Sequence, residues 1–346
     1  MRDAHPGRAT PVVGVWLIAL AGCTEQDEAA VAGGAVWFED EAALKGLDFE
    51  HRSGFDGRYL FPEIMGGGAA LADVDGDGDL DAYLVQSGRV EGRGEEGNAN
   101  RLFLNDGMGF FAAAPDDGAG DRGYGMGVTT GDYDNDGDVD LYVTNLGRNT
   151  LLRNDGAGRF SDVTALAGVG DSGWGTAAAF LDLDQDDDLD LFVVNYVAWT
   201  LATAKECYAV NTRTYCGPAA ADAAPDRLYR NNGDGSFTEI SLAAGLGTAF
   251  GAGLGIVGSD FDGDGRIDVF RGERQRGQPV VDEPNAAGGR SPTRGRGIPT
   301  RLRAGRPRHR QGRHGRRGGG SRRRRRPRHP CNEHGKAEGG HPCSDS

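Results

Sequence analysis

Short apolar segments recur along the chain between residues 60 and 270, and each is bounded by glycine or aspartate. AYLVQ at 82, LYVTN at 141 and LFVVN at 191 are rich in aliphatic and aromatic residues and are too short for ordinary helices. Glycine-rich apolar segments precede them, and a fourth such segment, GLGIVGS, lies at 253. The pattern predicts pairs of short β-strands joined by tight turns.

A third and a fourth strand are predicted after each pair. NRLFLNDG at 100, NTLLRNDG at 149 and DRLYRNNG at 226 form the third strand, and a phenylalanine at 160 or 237 opens the fourth. Four strands per unit, repeated every 50 to 78 residues, are typical of β-propeller blades. The predicted fold class is therefore all-β, a propeller of which about four blades are present.

One copy of the fourth-strand segment stands alone before the first complete unit. It is WFEDEAALKGL at 37, and its glycine lies eight residues after its phenylalanine, as in the segments at 159 and 236. We therefore predict an outer strand that closes the ring from the N-terminal side and leaves no free edge there.

Acidic residues are concentrated between the first and second strands of each unit. A nonapeptide with aspartate at alternate positions occurs at 73, 132, 182 and 260, here called loops 1 to 4. The four loops hold 20 of the 46 acidic residues between positions 1 and 270. Glycine occupies position 6 except in loop 3, where Asp187 replaces it. The acidity therefore marks sites and is not a uniform solvated surface.

The loops are predicted to bind Ca²⁺, which needs six or more oxygen ligands. Positions 1, 3, 5 and 9 would supply carboxylates and position 7 a backbone carbonyl oxygen, and without a cation the carboxylates would repel one another. A solvated acidic turn is the weaker interpretation for four copies. The predicted ligands are Asp73, Asp75, Asp77, Asp79 and Asp81 in loop 1; Asp132, Asp134, Asp136, Asp138 and Asp140 in loop 2; Asp182, Asp184, Asp186, Asp188 and Asp190 in loop 3; and Asp260, Asp262, Asp264, Arg266 and Asp268 in loop 4.

An EF-hand is the alternative calcium motif, and the flanking sequence excludes it. An EF-hand requires a glutamate at position 12 and helices on both sides of the loop. Position 12 is Leu84, Val143, Val193 or Arg271 here, and the flanking segments have the pattern of strands.

The acidic loops resemble those of FG-GAP (VCBS-type) repeats, which also build the propeller of the integrin α-subunit. Residues 47–88 and 207–239 are similar to bacterial members of the cartilage acidic protein family. The resemblance covers about residues 36–270 and implies a seven-bladed propeller, often followed by a second domain. The sequence departs from the family abruptly after Phe270.

The first 22 residues are predicted to be a signal peptide of the lipoprotein type. Arg2 and Arg8 precede an apolar run that is too short to span a bilayer. The run ends at Cys23 in a segment that resembles a bacterial lipobox, with an ordinary secretory signal as the alternative. We expect lipidation of Cys23, a flexible tether over residues 23–35, and export to the outer membrane, cell surface or periplasm, with a lipid anchor as the only membrane contact.

Cys207 and Cys216 lie nine residues apart in the sequence. In an exported protein we predict a disulfide between them, and a metal-binding pair is the weaker alternative because no histidine lies nearby.

The composition changes after Phe270. Residues 1–270 contain 46 acidic and 17 basic residues, whereas residues 271–346 contain 6 and 21 and no aromatic residue. The tail cannot bury a core, so we predict that it is disordered. We interpret it as out-of-frame translation, because a one-nucleotide shift over residues 322–329 can encode DDDGDLDI, another acidic loop. A basic arm that binds nucleic acid is the alternative and does not suit an exported protein.

No catalytic constellation is predicted, and His51 is interpreted as structural. The favoured function is a non-catalytic scaffold, made rigid by calcium, for adhesion or recognition at the cell surface. The alternative is a carbohydrate-active or polysaccharide-binding propeller, which would need a cluster of Arg, His or Tyr on one face. The expected partner is an extracellular protein or a glycan, and no nucleic acid.

Overall fold

The chain folds into antiparallel β-sheets that follow one another in sequence order. The structure is a computed structural model that describes residues 38–90, 99–114, 117–248 and 251–274. All of them belong to one unit, Met1–Ala304, and the second unit, Gly305–Ser346, lies outside them. The predicted signal peptide, the tether, Cys23 and the tail beyond Arg274 also fall outside the described residues.

Three of the sheets have four strands each, as the sequence predicts. The first sheet contains β1 (Ala69–Ala72), β2 (Asp81–Leu84), β3 (Arg101–Asn105) and β4 (Phe111–Ala113). The second contains β5 (Gly125–Gly131), β6 (Asp140–Asn145), β7 (Thr150–Asn154) and β8 (Phe160–Asp162). The third contains β9 (Gly175–Leu181), β10 (Asp190–Asn195), β13 (Arg227–Asn231) and β14 (Phe237–Glu239), with a hairpin of β11 (Cys207–Ala209) and β12 (Thr212–Thr214) inserted after β10. The order of the strands in space follows the chain in each sheet.

The fourth sheet has two strands among the described residues, β15 (Ala252–Ser259) and β16 (Asp268–Arg274). The composition placed the end of the repeat region at Phe270, whereas β16 continues to Arg274. Its last residue pairs with Ala252 at the start of β15. Arg271 is buried and its Nε lies 2.6 Å from Asp226 Oδ2, so this ion pair joins β16 to the third sheet.

The core lies between successive sheets, and the alternation of side chains along the second strand of each sheet builds it. Leu141 and Val143 of β6 pack in a cluster with Tyr83 of the first sheet. Tyr142, which points to the opposite face of β6, packs with Leu191 of the third sheet. All of these side chains are buried to at least 98%. The second sheet is therefore covered on both faces.

Residues 38–47 form a turn and no strand, contrary to the prediction. Phe38 is 91% exposed, because no third strand of a preceding sheet lies beside it among the described residues. The turn itself follows the repeat: Phe111 N–H donates to Lys45 O at 2.7 Å, as Phe160 N–H donates to Asp117 O one sheet later. This segment therefore contacts β4 in the same way as the turn at Asp117 contacts β8, but no strand precedes it among the described residues.

Helical segments are short. The helix α1 (Thr164–Ala167) follows β8, and single 3₁₀ turns occupy Phe61–Ile64, Leu201–Thr203 and Pro218–Ala220. Among the described residues there is no helix with the length and apolar character needed to cross a membrane.

Candidate metal centres

Each acidic loop connects the first and second strands of its sheet. The register is the same in all four hairpins, since the residue before position 1 pairs with the aspartate at position 9. These pairs are Ala72–Asp81, Gly131–Asp140, Leu181–Asp190 and Ser259–Asp268. Each acidic loop therefore lies between two antiparallel strands, and an EF-hand is excluded by structure as well as by sequence.

The aspartate at position 1 holds the turn together by accepting backbone hydrogen bonds. In loop 2, Asp136 N–H donates to Asp132 Oδ1 at 3.1 Å and Gly137 N–H to Oδ2 at 3.0 Å. Asp73 and Asp260 accept from the glycine at position 6 in the same way. In loop 3, the N–H groups of Gln185 and Asp186 both donate to Oδ1 of Asp182. Loop 3 is thus the copy in which the position 1 carboxylate is held through a single oxygen.

Loop 3 also differs from the other loops in the residue at position 6. Gly137 has a φ of 96° and Asp187 a φ of 70°. This left-handed region costs a residue with a side chain of the order of 1 kcal/mol, and glycine enters it freely. The replacement of glycine by Asp187 therefore leaves a strained backbone at position 6 of loop 3.

The carboxylates converge in every loop. Three of them place one oxygen each within 4.8 Å of the others. The converging groups are Asp73, Asp75 and Asp81 in loop 1; Asp132, Asp134 and Asp136 in loop 2; Asp182, Asp184 and Asp186 in loop 3; and Asp260, Asp262 and Asp268 in loop 4. Positions 1 and 3 thus belong to every group, while the third member is position 5 or position 9.

Position 9 also clamps the loop to its sheet. In loop 2, Asp140 is fully buried and accepts from Tyr133 N–H at 3.1 Å and from Asn154 N–H at 2.8 Å. Asp81 makes the equivalent pair of bonds with Val74 and Asn105. A carboxylate oxygen that accepts one hydrogen bond retains a lone pair, so position 9 can fix the strands and still face a cation.

Position 7 contributes backbone groups to the loop, whereas positions 1, 3, 5 and 9 contribute side-chain carboxylates. Its N–H donates to the position 5 carboxylate in all four loops, at 3.0 to 3.1 Å. The residues concerned are Asp79, Asp138, Asp188 and Arg266. Since Arg266 has no acidic side chain, the atom common to the four loops at this position is the backbone carbonyl oxygen. That this oxygen is a ligand stays a prediction.

Five carboxyl groups in loops 1 to 3 have a raised pKa and resist ionisation. Burial, reinforced by the neighbouring carboxylates, raises the pKa of Asp75, Asp134 and Asp184. Burial raises the pKa of Asp140 to about 7 and that of Asp190 to about 6, although backbone N–H donors act in the opposite direction. A bound cation would reverse these shifts, because it favours the ionised form of each carboxylate.

The donor set fits a hard divalent cation. The converging side-chain atoms are all carboxylate oxygens, which Ca²⁺ prefers. Asp134 Oδ1 is buried and has no hydrogen-bond partner among the described residues, so it is free to face an ion. The three converging carboxylates of each loop supply part of the six or more oxygen ligands that Ca²⁺ requires. That positions 1, 3, 5, 7 and 9 together form the ligand set stays a prediction.

Comparison with known families identifies the repeats. The family described as FG-GAP-like repeat matches residues 73–143, 132–193 and 218–270, and these stretches contain all four acidic loops. The chain belongs to the FG-GAP-like repeat family. The resemblance inferred from the loops is confirmed at this level, and Asp-rich clusters of this kind are typical of calcium sites in such repeats.

Among solved structures, a lectin of Agrocybe aegerita that recognises non-reducing terminal N-acetylglucosamine is distantly similar to the chain. The two are 18% identical, and the alignment covers 58% of this chain with a TM-score of 0.32. The chain spans only 45% of the length of that lectin chain. No curated protein matches the chain.

The FG-GAP-like repeats contain a residue beside the acidic loops that the sequence reasoning missed, the asparagine at the end of the third strand. It is Asn105 in β3, Asn154 in β7 and Asn231 in β13. The side chain of Asn154 donates to Val74 O in loop 1 at 2.8 Å, and that of Asn231 donates to Tyr133 O in loop 2 at 2.8 Å. The recurring N-D-G or N-N-G ending of the third strand was the available signal.

His51 has a structural partner. Its Nε2 lies 3.0 Å from Ser87 Oγ, and Ser87 Oγ donates to Gly125 O at 2.9 Å. The single hydroxyl proton of Ser87 is thus directed at a carbonyl group, so the histidine donates to the serine and does not activate it as a nucleophile. Burial lowers the pKa of His51, which favours this neutral role.

The predicted disulfide between Cys207 and Cys216 is present. It lies in the inserted hairpin, which follows β10 at the end of the strand opposite loop 3. An isolated two-stranded hairpin is only marginally stable in water, so the crosslink stabilises a hairpin that pairs with no other strand among the described residues. A structural disulfide is typical of proteins outside the reducing cytoplasm.

Proposed function

We propose that this protein is a non-catalytic scaffold whose FG-GAP-like repeats are made rigid by Ca²⁺ and whose sheets are blades of a β-propeller. The observation that carries the proposal is the fourfold repetition of one acidic hairpin loop with one register and converging carboxylates. Four copies of the same geometry point to one shared ligand type, because an isolated acidic turn needs no such repetition.

The role of calcium in this proposal is structural. The ion neutralises carboxylates whose burial and mutual repulsion raise their pKa, as at Asp134 and Asp184. An ion that binds the folded chain alone adds stability. A hard ion surrounded by protein oxygens holds the two strands of its hairpin and leaves little room for a substrate or a reactive water.

The propeller arrangement is supported by the way in which the sheets succeed one another. The first strands lie side by side in the order β1, β5, β9 and β15. The same turn-to-strand contact recurs where Lys45 O meets Phe111 N–H and where Asp117 O meets Phe160 N–H. Repetition of one junction between equivalent sheets is how propeller blades are arranged.

Export and lipid anchoring complete the proposal. The disulfide fits an oxidising compartment, and the scaffold would present an extracellular protein or glycan ligand with a fixed surface. A Cys23→Ala variant is expected to lose labelling by a clickable fatty acid and to leave the membrane fraction. Unchanged labelling and retention would contradict lipidation at Cys23.

Calcium titration of the full chain by isothermal titration calorimetry tests the proposed function. We expect up to four bound ions, one for each converging group, and the Asp132→Ala variant is expected to bind one fewer. The matched control is Asp155→Ala, because Asp155 is an acidic residue outside the loops that pairs with Arg153. Absence of binding heat in the wild-type chain, or an equal loss of ions in the control, would refute the proposal.

A further inference from the structure

Single asparagine residues contact two acidic loops at once. The backbone N–H of Asn154 donates to Asp140 Oδ1 in loop 2 at 2.8 Å, while its side-chain Nδ2 donates to Val74 O in loop 1 at 2.8 Å. Asn231 repeats this arrangement between loop 3, through Asp190 Oδ1 at 2.9 Å, and loop 2, through Tyr133 O at 2.8 Å. Each asparagine therefore ties the position 9 carboxylate of one loop to position 2 of the preceding loop.

A second set of bridges starts at position 4. Asn135 of loop 2 donates through Nδ2 to Asp188 Oδ1 of loop 3 at 2.8 Å. Gln185 of loop 3 donates through Nε2 to Gly265 O of loop 4 at 2.7 Å. Both residues have a left-handed backbone, with φ of 59° and 65°. A glycine would tolerate this conformation better, so the amide side chains are kept at some cost in backbone strain.

The bridges differ in number along the chain. Loops 2 and 3 are joined by Asn231 and by Asn135, loops 1 and 2 by Asn154, and loops 3 and 4 by Gln185. Among the described residues, the side chain of the equivalent Asn105 makes bonds only within its own repeat, to Leu80 O, Gly107 N–H and Gly109 N–H. Asn105 is therefore a natural control for the bridging asparagines.

These contacts join segments that an ion must order. Ion binding fixes the peptide groups of a loop, and a bridging hydrogen bond restrains the next loop as well. The second ion therefore binds to a loop that is already partly ordered. From these bridges we propose that the four calcium sites are coupled and fill cooperatively, with loops 2 and 3 forming the most strongly coupled pair. This inference rests on the proposed calcium binding and adds the regulation of the same sites.

Glycine substitutions at position 4 test the coupling. Gln185→Gly and Asn135→Gly remove the bridging side chain and install the residue that loops 1 and 4 carry as Gly76 and Gly263, at φ of 77° and 75°. The turn and its backbone bonds are therefore retained. In calorimetric titration of the full chain with CaCl₂, each variant should bind the same number of ions with a shallower isotherm. The calcium concentration at the midpoint should rise about two- to tenfold, as expected for one lost hydrogen bond.

The asparagine variants separate bridging from local effects. Asn154→Ala removes a bridge and local bonds, whereas Asn105→Ala removes local bonds only, so Asn154→Ala should flatten the isotherm and Asn105→Ala should not. Three results would overturn the coupling while leaving calcium binding intact. The wild-type chain could bind without cooperativity, or Gln185→Gly and Asn135→Gly could leave the isotherm unchanged. Equal flattening by Asn105→Ala and Asn154→Ala would be the third. Failure of the wild-type chain to bind calcium would instead overturn the proposed function. Circular dichroism of each variant confirms that the sheets are retained.

Discussion

Loop 2 and loop 4 share aspartate at positions 1, 3, 5 and 9 and glycine at position 6, but they lie in different surroundings. In loop 2, Tyr133 is 2% exposed between the second and third sheets, and Asp140 accepts one hydrogen bond from within the loop and one from β7. In loop 4, Phe261 is 59% exposed, and Asp268 accepts from Phe261 N–H at 3.2 Å. The motif thus specifies the converging carboxylates in both loops, whereas neighbouring sheets determine how firmly the loop is held.

The largest difference between loops 2 and 4 in the free energy of unfolding lost on substitution is expected at position 2. Tyr133→Ala empties a space between Phe180 and Phe237, whose rings lie 6.5 and 5.6 Å from that of Tyr133, and should lower the free energy of unfolding by about 3 to 5 kcal/mol. Phe261→Ala removes a mostly exposed ring and should cost less than about 1 kcal/mol. Urea unfolding of both variants checks this, and similar losses would show that loop 4 is packed like loop 2.

A smaller difference in the free energy of unfolding lost on substitution is expected at position 9. Asp140→Ala leaves two N–H donors without an acceptor, one of them in the buried β7, and should cost at least about 2 kcal/mol. Asp268→Ala removes the acceptor of one N–H on an exposed residue, so it should cost about 1 kcal/mol or less. Unfolding is measured in chelator, so that lost calcium binding does not contribute. Equal losses of unfolding free energy in Asp140→Ala and Asp268→Ala would show that position 9 is held equally firmly in the two loops.

The smallest effect is expected at position 6 of loop 3. Asp187→Gly relieves a left-handed backbone and should stabilise the chain by about 0.5 to 1 kcal/mol. Asp187→Ala is the matched control, because it removes the same carboxylate and keeps a side chain in the strained conformation. If both variants stabilise the chain equally in urea unfolding, the gain comes from removing charge and not from the backbone.

The sequence predicts the local parts of this molecule well because they depend on local patterns. The strand pairs around each loop and the positions of the carboxylates follow from alternation and spacing, as AYLVQ at 82 and the nonapeptide at 73 illustrate. Residues 38–47 of the outer strand predicted at 37–47 form no strand, because a strand needs a partner strand that the pattern of one segment cannot supply. The strand β16 continues beyond Phe270 to Arg274, and Arg271 in it is stabilised by a distant residue, Asp226.

The contacts between loops were not predicted at all. Asn154 and Val74 are 80 residues apart, and Gln185 and Gly265 are also 80 residues apart. Which carbonyl oxygen an asparagine meets depends on how two sheets pack, and a single sequence does not contain that information. The recurrence of asparagine at the end of three third strands was visible, but its partners were not.

Thermal unfolding of the full chain in excess CaCl₂ and in excess chelator is the most direct test of calcium as the structural ligand. An ion at 100 times its dissociation constant adds about 2.7 kcal/mol to the stability for each site, so calcium should raise the Tm by at least about 5 °C. The same ionic strength of MgCl₂ serves as the control and should give a smaller rise, because Mg²⁺ demands a tighter octahedral site. Melting curves that superimpose in calcium and in chelator would contradict the account.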